Sequence, residues 1–188
     1  SFVRIPIGPQ GISHKGVNAV ADDGAGGIWV GTHGGGLDHL DHTASATRHW
    51  RHDPKDTSSL PNNVVGAVLR ARNNKLWVGT AGGLVQQNPA GTGFIPISLS
   101  TPSGAPPVVR ALFEDSAGRV WVGTHAHGAF VIDAATGLAK AVEERGAEVA
   151  TLGSERVVSI LEARPGEIWL GTFDQGIVVV NTTDWHTR

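Results

Sequence analysis

Residues 26–36 read GGIWVGTHGGG, and the chain says nearly the same thing three more times: NKLWVGTAGG from 74, GRVWVGTHAHG from 118 and GEIWLGTFDQG from 166. The tryptophans Trp29, Trp77, Trp121 and Trp169 lie 48, 44 and 48 residues apart. Aligning on them brings other positions into line. Twelve residues upstream stand Val17, Val65, Val109 and Val157; three upstream stand Gly26, Asn74, Gly118 and Gly166. Two and three downstream are a Gly and a Thr in every copy, and no gap is needed between the valine and the threonine. A fixed period of this length is the signature of a repeat architecture.

Each unit offers three short apolar runs. The first is VNAVA, VGAVL, VRALF or VVSIL, the second is IWVGT or its equivalent, and the third is LDHLD, LVQQN, AFVID or IVVVN. A weaker fourth run follows in TRHWR, FIPIS and LAKAV. All are rich in β-branched and aromatic residues and bounded by Gly, Asn, Asp and Pro, which reads as strands joined by tight turns. Helix-like composition is confined to a short stretch, 137–153. Four strands per ~45-residue unit describes a β-propeller blade. The fold class expected is therefore all-β: a β-propeller of four-stranded antiparallel blades. The repeats run approximately 8–53, 54–100, 101–144 and 145–188, with 1–7 as the last strand of a preceding or closing blade. Four blades could close into a ring or form an arc of a larger propeller, for example a seven-bladed one. The sequence opens inside an apparent strand, which reads as a piece of a longer or matured protein.

Composition narrows the function. The 188 residues carry 15 basic and 17 acidic groups, a net charge of −2, so there is no electrostatic footprint for nucleic acid. Cysteine is absent, which removes disulfides and thiolate metal sites. No apolar stretch approaches the ~18 residues of a membrane span, and no membrane contact is expected within the chain. Glycine is high, 26 residues, but the glycine-rich loop after Thr32 lacks the Lys-Ser/Thr ending and following helix of a phosphate cradle. There glycine serves a turn.

The stretches GGIWVGTHGGGLDHLD and RHDPKDTSSLPNNVV resemble the two-component regulator propeller repeat. Ser59, Leu60, Asn62, Asn63 and Val64 match its lead-in; Asp23, Asp115, Gly26, Gly118 and the four W-hydrophobic-G-T tetrads match its body. Ala71 and Ala163 replace the usual Asp in repeats 2 and 4, loop variations the fold should tolerate. The Gly-Gly pair is broken in repeats 3 and 4. The resemblance implies an extracytoplasmic (periplasmic) sensor region of an inner-membrane receptor: a bacterial hybrid histidine kinase, or a related receptor feeding a diguanylate cyclase. The output domain is not in this sequence.

The repeated Trp is expected to pack between blades, the Gly to make a tight contact, and the Thr hydroxyl to bond nearby backbone. The copies diverge after the Thr, so the candidate ligand residues are His33, His125, His127, Phe173, Asp174 and Gln175. Asn18, Asn63, Arg110 and Arg156, which open the first strands, are expected near the same channel mouth. Imidazole, guanidinium and amide groups suit a small polar ligand such as a glycan or metabolite. His125 and His127 flank Ala126, and a strand-like turn would set them on one side. No Asp, Glu or Cys completes a metal set at motif spacing, so neither metal nor cofactor is expected. His39, His42, His49 and His52 are expected to be exposed. No nucleophile–base constellation stands out, so the chain reads as non-catalytic. Two alternatives stand beside the sensor: a metal-assisted lyase resembling the streptogramin lyases, with His125 and Glu155 or Asp174, and a purely structural dimerisation module. Self-association through open blade edges is expected.

Overall fold

A computed structural model describes residues 4–43, 47–133, 136–143 and 152–187. Its strands follow the repeat. β1 (Val17–Asp22), β2 (Ile28–Thr32), β3 (Leu37–Leu40) and β4 (Thr47–Trp50) form one antiparallel sheet in sequence order. β5 (Val65–Arg70), β6 (Leu76–Thr80), β7 (Gly83–Gln87) and β8 (Phe94–Ile97) form the second, and β9 (Val109–Glu114), β10 (Val120–Thr124), β11 (Ala129–Ile132) and β12 (Ala139–Ala141) the third. β13 (Val157–Arg164), β14 (Glu167–Thr172) and β15 (Ile177–Asn181) make a three-stranded fourth sheet, with Thr187 bridging to Val180 beyond β15. The fold is the expected all-β propeller class. Of the helix-like stretch, 139–141 is strand, Leu152–Ser154 is a single 3-10 turn, and 144–151 lies outside the described residues. Of the first seven residues, 1–3 also lie outside, and Ile7 makes one isolated parallel bridge with Ile12.

The chain divides into two compact units, 1–81 with 85–96, and 82–84 with 97–188. In the first unit β1 faces β5, and Trp29 clusters with Leu37, Leu60, Val65, Leu76, Val78, Val85 and Phe94. In the second β9 faces β13, and Trp121 clusters with Val131, Leu152, Val157, Ile168, Leu170 and Val180. The two cores use the same repeat positions: the Trp of one blade packs with the first-strand Val of the next. Burying an aromatic of this size stabilises strongly; truncating such a side chain to Ala costs about 3–5 kcal/mol.

The glycine after each Trp explains itself in this packing. A Cβ on Gly31 would stand 2.7 Å from Val65 Cγ1, and one on Gly123 would stand 2.8 Å from the Val157 carbonyl oxygen. The position three before the Trp is explained by the backbone. Gly26, Asn74, Gly118 and Gly166 have φ of 90°, 65°, 82° and 82°. Only Gly, or more rarely Asn, takes that left-handed conformation cheaply.

Every first strand also carries a β-bulge at the same place. Val17 pairs with Thr32 and Ala19 with Gly31, leaving Asn18 as the extra residue. The register shifts identically at 65/67, at 109/111 and at 157/159, so Gly66, Arg110 and Val158 occupy the same position. Strict alternation does not betray a bulge, and the sequence reading did not find it.

Candidate functional site

The threonine closes the loop between the second and third strands. Thr32 Oγ1 donates to Gly36 O at 2.9 Å and accepts from Gly35 N at 2.9 Å. Thr124 repeats this with Gly128 O and His127 N, and Thr172 with Gly176 O and Gln175 N. The residue after the Thr is tied to the residue before the first strand. His33 N donates to Gly16 O, Ala81 N to Val64 O, His125 N to Val108 O and Phe173 N to Arg156 O, all at 2.9 Å. The last loop glycine reaches the lead-in of the next blade: Gly36 N to Asn63 O and Gly128 N to Glu155 O. A backbone frame of fixed geometry therefore presents side chains that are free to differ.

In the first unit this frame gathers His33, Asn18 and Asn63. His33 is exposed, and its ring lies 6.4 Å from that of His14. Asn18 Nδ2 donates to Val65 O at 2.9 Å, bracing one blade against the next. Asn63 Oδ1 accepts from His52 N at 2.8 Å. Both amides thus have scaffold partners.

In the second unit it gathers His125, His127, Arg110, Arg156, Phe173, Asp174 and Gln175. Burial first, then the charges of Arg156 and Arg110, push the His125 imidazole below its ordinary pKa. Its Nδ1 and the Nε of Arg156 are buried without a hydrogen-bond partner. The Arg156 guanidinium lies over the Phe173 ring at 4.4 Å from its centroid. Asp174 and Gln175 are exposed. His125, Ala126 and His127 form a bend closed by Thr124, so the strand-like turn imagined for the two histidines does not occur. Among the described residues no group of three His, Cys, Asp or Glu side chains could hold a metal ion.

Of the histidines expected to be exposed, His49 and His52 are, His39 is half-buried, and all three have structural partners. His39 Nε2 lies 2.8 Å from Asp23 Oδ2, and its ring packs 4.3 Å from Trp29. His49 Nδ1 lies 2.7 Å from Oδ1 of the fully buried Asp38, which also accepts Ser13 N and Oγ. His52 Nδ1 lies 2.7 Å from Leu60 O. These partners come from other strands and loops, and no spacing along the chain announces them. His42 is exposed, as expected.

The Asp of the repeat body is a turn anchor. Asp23 Oδ1 accepts Ala25 N and Gly27 N; these bonds, the Ala25 one foremost, and then His39 hold its carboxyl below the ordinary range. Buried Asp115 accepts Ala117 N, Arg119 N, Arg119 Nε at 2.6 Å and Trp121 Nε1 at 2.8 Å. A cleft of about 540 Å³ in the second unit, lined by Arg119, Asp133, Lys140, Glu143 and Trp185 among others, escaped the sequence reading. Its arginine, Arg119, is already paired with Asp115. No helix among the described residues is long and apolar enough to cross a membrane.

Comparison with known proteins gives this geometry its context. The chain is similar to the extracellular domain of a hybrid two component system of B. thetaiotaomicron: 26% identity, TM-score 0.75, over 89% of this chain and 21% of that one. PorZ, a surface component of the type-IX secretion system of Porphyromonas gingivalis, shares the fold at 19% identity and TM-score 0.71, over 100% of this chain and 28% of that one. Virginiamycin B lyase from Staphylococcus aureus shares it at 13% identity and TM-score 0.67, over 92% and 54%. The chain thus spans about a fifth to just over a quarter of the first two. No curated protein matches it by sequence. Residues 59–82, 103–126 and 151–174 match the family model described as two component regulator propeller. Three of the four blades thus contain a stretch that matches this repeat model, and the fold of the chain is that of a β-propeller.

Proposed function

We propose that the chain is a non-catalytic, extracytoplasmic ligand-sensing part of a bacterial signalling receptor, passing ligand occupancy to an output domain elsewhere in the parent protein. One observation carries this reading. In three of the four copies the repeat holds its backbone frame constant through the Thr-closed loop and changes only the side chains the frame presents, His-Gly-Gly in one and His-Ala-His or Phe-Asp-Gln in the others, while the second copy has a loop one residue shorter. A scaffold that individualises one loop per blade suits recognition by several loops together. The likeness to an extracellular domain of a two component system supports the location and the signalling role.

The ligand is small and polar. A thermal-shift screen of the chain with neutral oligosaccharides and small metabolites tests this. Stabilisation by at least one, abolished by changing His125 or Arg156, is the expected result; no stabilisation by any member of the panel overturns the reading.

Self-association through blade faces is the accompanying proposal. Val17 is 46% exposed, although the equivalent Val65, Val109 and Val157 are fully buried, and Val20 is 66% exposed, although the equivalent Val68, Leu112 and Ile160 are half-buried. Trp169 is 38% exposed, although Trp121 is fully buried. The occupant these faces fit is a blade of the same repeat, here from a second copy. Sedimentation of the chain at rising concentration should give a mass above 19.6 kDa. A monomer at every concentration overturns the proposal.

A further inference from the structure

The second unit contains a group of basic side chains with no acidic partner among the described residues. Arg110 sits at the β-bulge of β9, the one place on that strand where a side chain is re-aimed out of the alternating pattern. His125 follows β10 and is fixed beside that strand by its N–H bond to Val108 O. Arg156 comes from the next blade, its lead-in held against the His125 loop by the Gly128–Glu155 backbone bond and against its own blade's loop by the Phe173–Arg156 bond. The ring of Phe173 fixes the plane of its guanidinium.

Three side chains from three elements thus converge, and all lack a counter-charge. Both arginines lie near enough to His125 to disfavour its protonation. Among the described residues neither arginine forms an ion pair, and both His125 Nδ1 and Arg156 Nε are buried with nothing to bond. Glu155 and Asp174, the chain neighbours of Arg156 and of Phe173 beneath it, form no ion pair with them. Gathering like charges without a partner opposes folding; fold stability alone gives no reason for it. The missing component is an anion with several acceptor atoms, for which a guanidinium fork is the favoured recognition group.

We infer that Arg110, His125 and Arg156 form a site for one oxyanion, a carboxylate, sulfate or phosphate group of the sensed ligand. This rests on the reading of the chain as a ligand-binding propeller and specifies what it binds. The first unit supplies a built-in control. There the positions of Arg110, His125 and Arg156 are held by Asn18, His33 and Val64, so an equivalent imidazole is present without either cation.

The test is a titration of the chain with acetate, sulfate and inorganic phosphate at constant ionic strength, followed by calorimetry and by the imidazole resonances of His125 and His33. At least one anion is expected to move His125 saturably and leave His33 unchanged. Arg110→Gln and Arg156→Gln are expected to weaken that binding at least about tenfold, the worth of one charge-assisted bond. Arg156→Lys, which keeps the charge but loses the fork, is expected to fall between. A His125 resonance unmoved by all three anions overturns the inference, and so does an affinity unchanged in both glutamine variants. If those variants lose their β-sheet circular dichroism, the titration of the unaltered chain decides alone. A neutral ligand that stabilises the chain while His125 stays silent to anions overturns the oxyanion class and leaves the sensor reading standing. Stabilisation by nothing at all removes both.

Discussion

The joint between β1–β4 and β5–β8 and the joint between β9–β12 and β13–β15 bury the same repeat positions, yet their polar edges are opposite in sign. In the first, Arg70 Nη1 donates to the Asp23 carbonyl in the turn of the preceding blade. In the second, Glu162, seven residues before Trp169 as Arg70 is before Trp77, accepts Ser116 N at 2.6 Å and Ser116 Oγ at 2.8 Å. A turn exposes both N–H and C=O groups, so a cation or an anion can staple it. The apolar part of a joint is constrained by shape; the polar part only has to complement whichever backbone group it meets.

The largest effect that should break the symmetry of the two units is Asp115→Ala. It would leave Arg119 and Trp121 Nε1 without their buried acceptor, and a loss of about 3 kcal/mol or more in urea unfolding is expected. Asp23→Ala, whose carboxylate is partly exposed, should cost about 1 kcal/mol. Equal losses would show that the two anchors do the same work.

Next comes Gly123→Ala against Gly171→Ala. The first places a methyl against the Val157 carbonyl oxygen and should cost about 1–3 kcal/mol. The second meets only the end of the Ser159 side chain, which can rotate, so a change within about 0.5 kcal/mol is expected. A joint that tolerated Gly123→Ala would not be close-packed there.

The staples separate by pH. Burial pushes the Glu162 carboxyl up, but the bonds from Gly166 N and Ser116 outweigh it and hold the pKa below the usual 4.5. A group lowered on folding stabilises the protein above its unfolded pKa, and that contribution disappears as pH falls from about 4.5 through the lowered value. Glu162→Gln should therefore lower neutral-pH stability by about 1 kcal/mol and flatten the acid limb. Arg70→Gln should weaken its own joint without altering the pH profile. The smallest effect is a gain. Trp77 Nε1 is buried without a partner where Ala71 replaces the anchoring Asp. Ala71→Asp should add about 0.5–1.5 kcal/mol in thermal unfolding if it restores the Asp115–Trp121 bond in that blade.

That orphaned indole marks the limit of what the repeat pattern disclosed. The Trp, Gly and Thr positions, the four blades and the left-handed turn residue were legible, because shape and φ constrain them in every copy. Replacement of Asp by Ala read as harmless, since nothing in the spacing ties residue 71 to an indole six positions on. The partners of His39 and His49 were hidden for a related reason: each bond crosses between strands. The rim residues were named one at a time. Only folding shows that Asn18 and Asn63 are braces, and that Arg110, His125 and Arg156 stand together.

The bulge at Asn18, Gly66, Arg110 and Val158 has a consequence for how such a chain can change. A residue inside a strand is bound to the parity of its neighbours, and shifting it by one exchanges inside for outside along the whole strand. A bulge residue stands outside that parity. Its identity can be swapped without disturbing the register on either side, and the four copies already show an amide, no side chain, a cation and an aliphatic group there. The repeat thus carries one interchangeable socket per blade, and testing the proposed recognition by redesign begins at these sockets, Asn18 excepted because its amide braces the next blade.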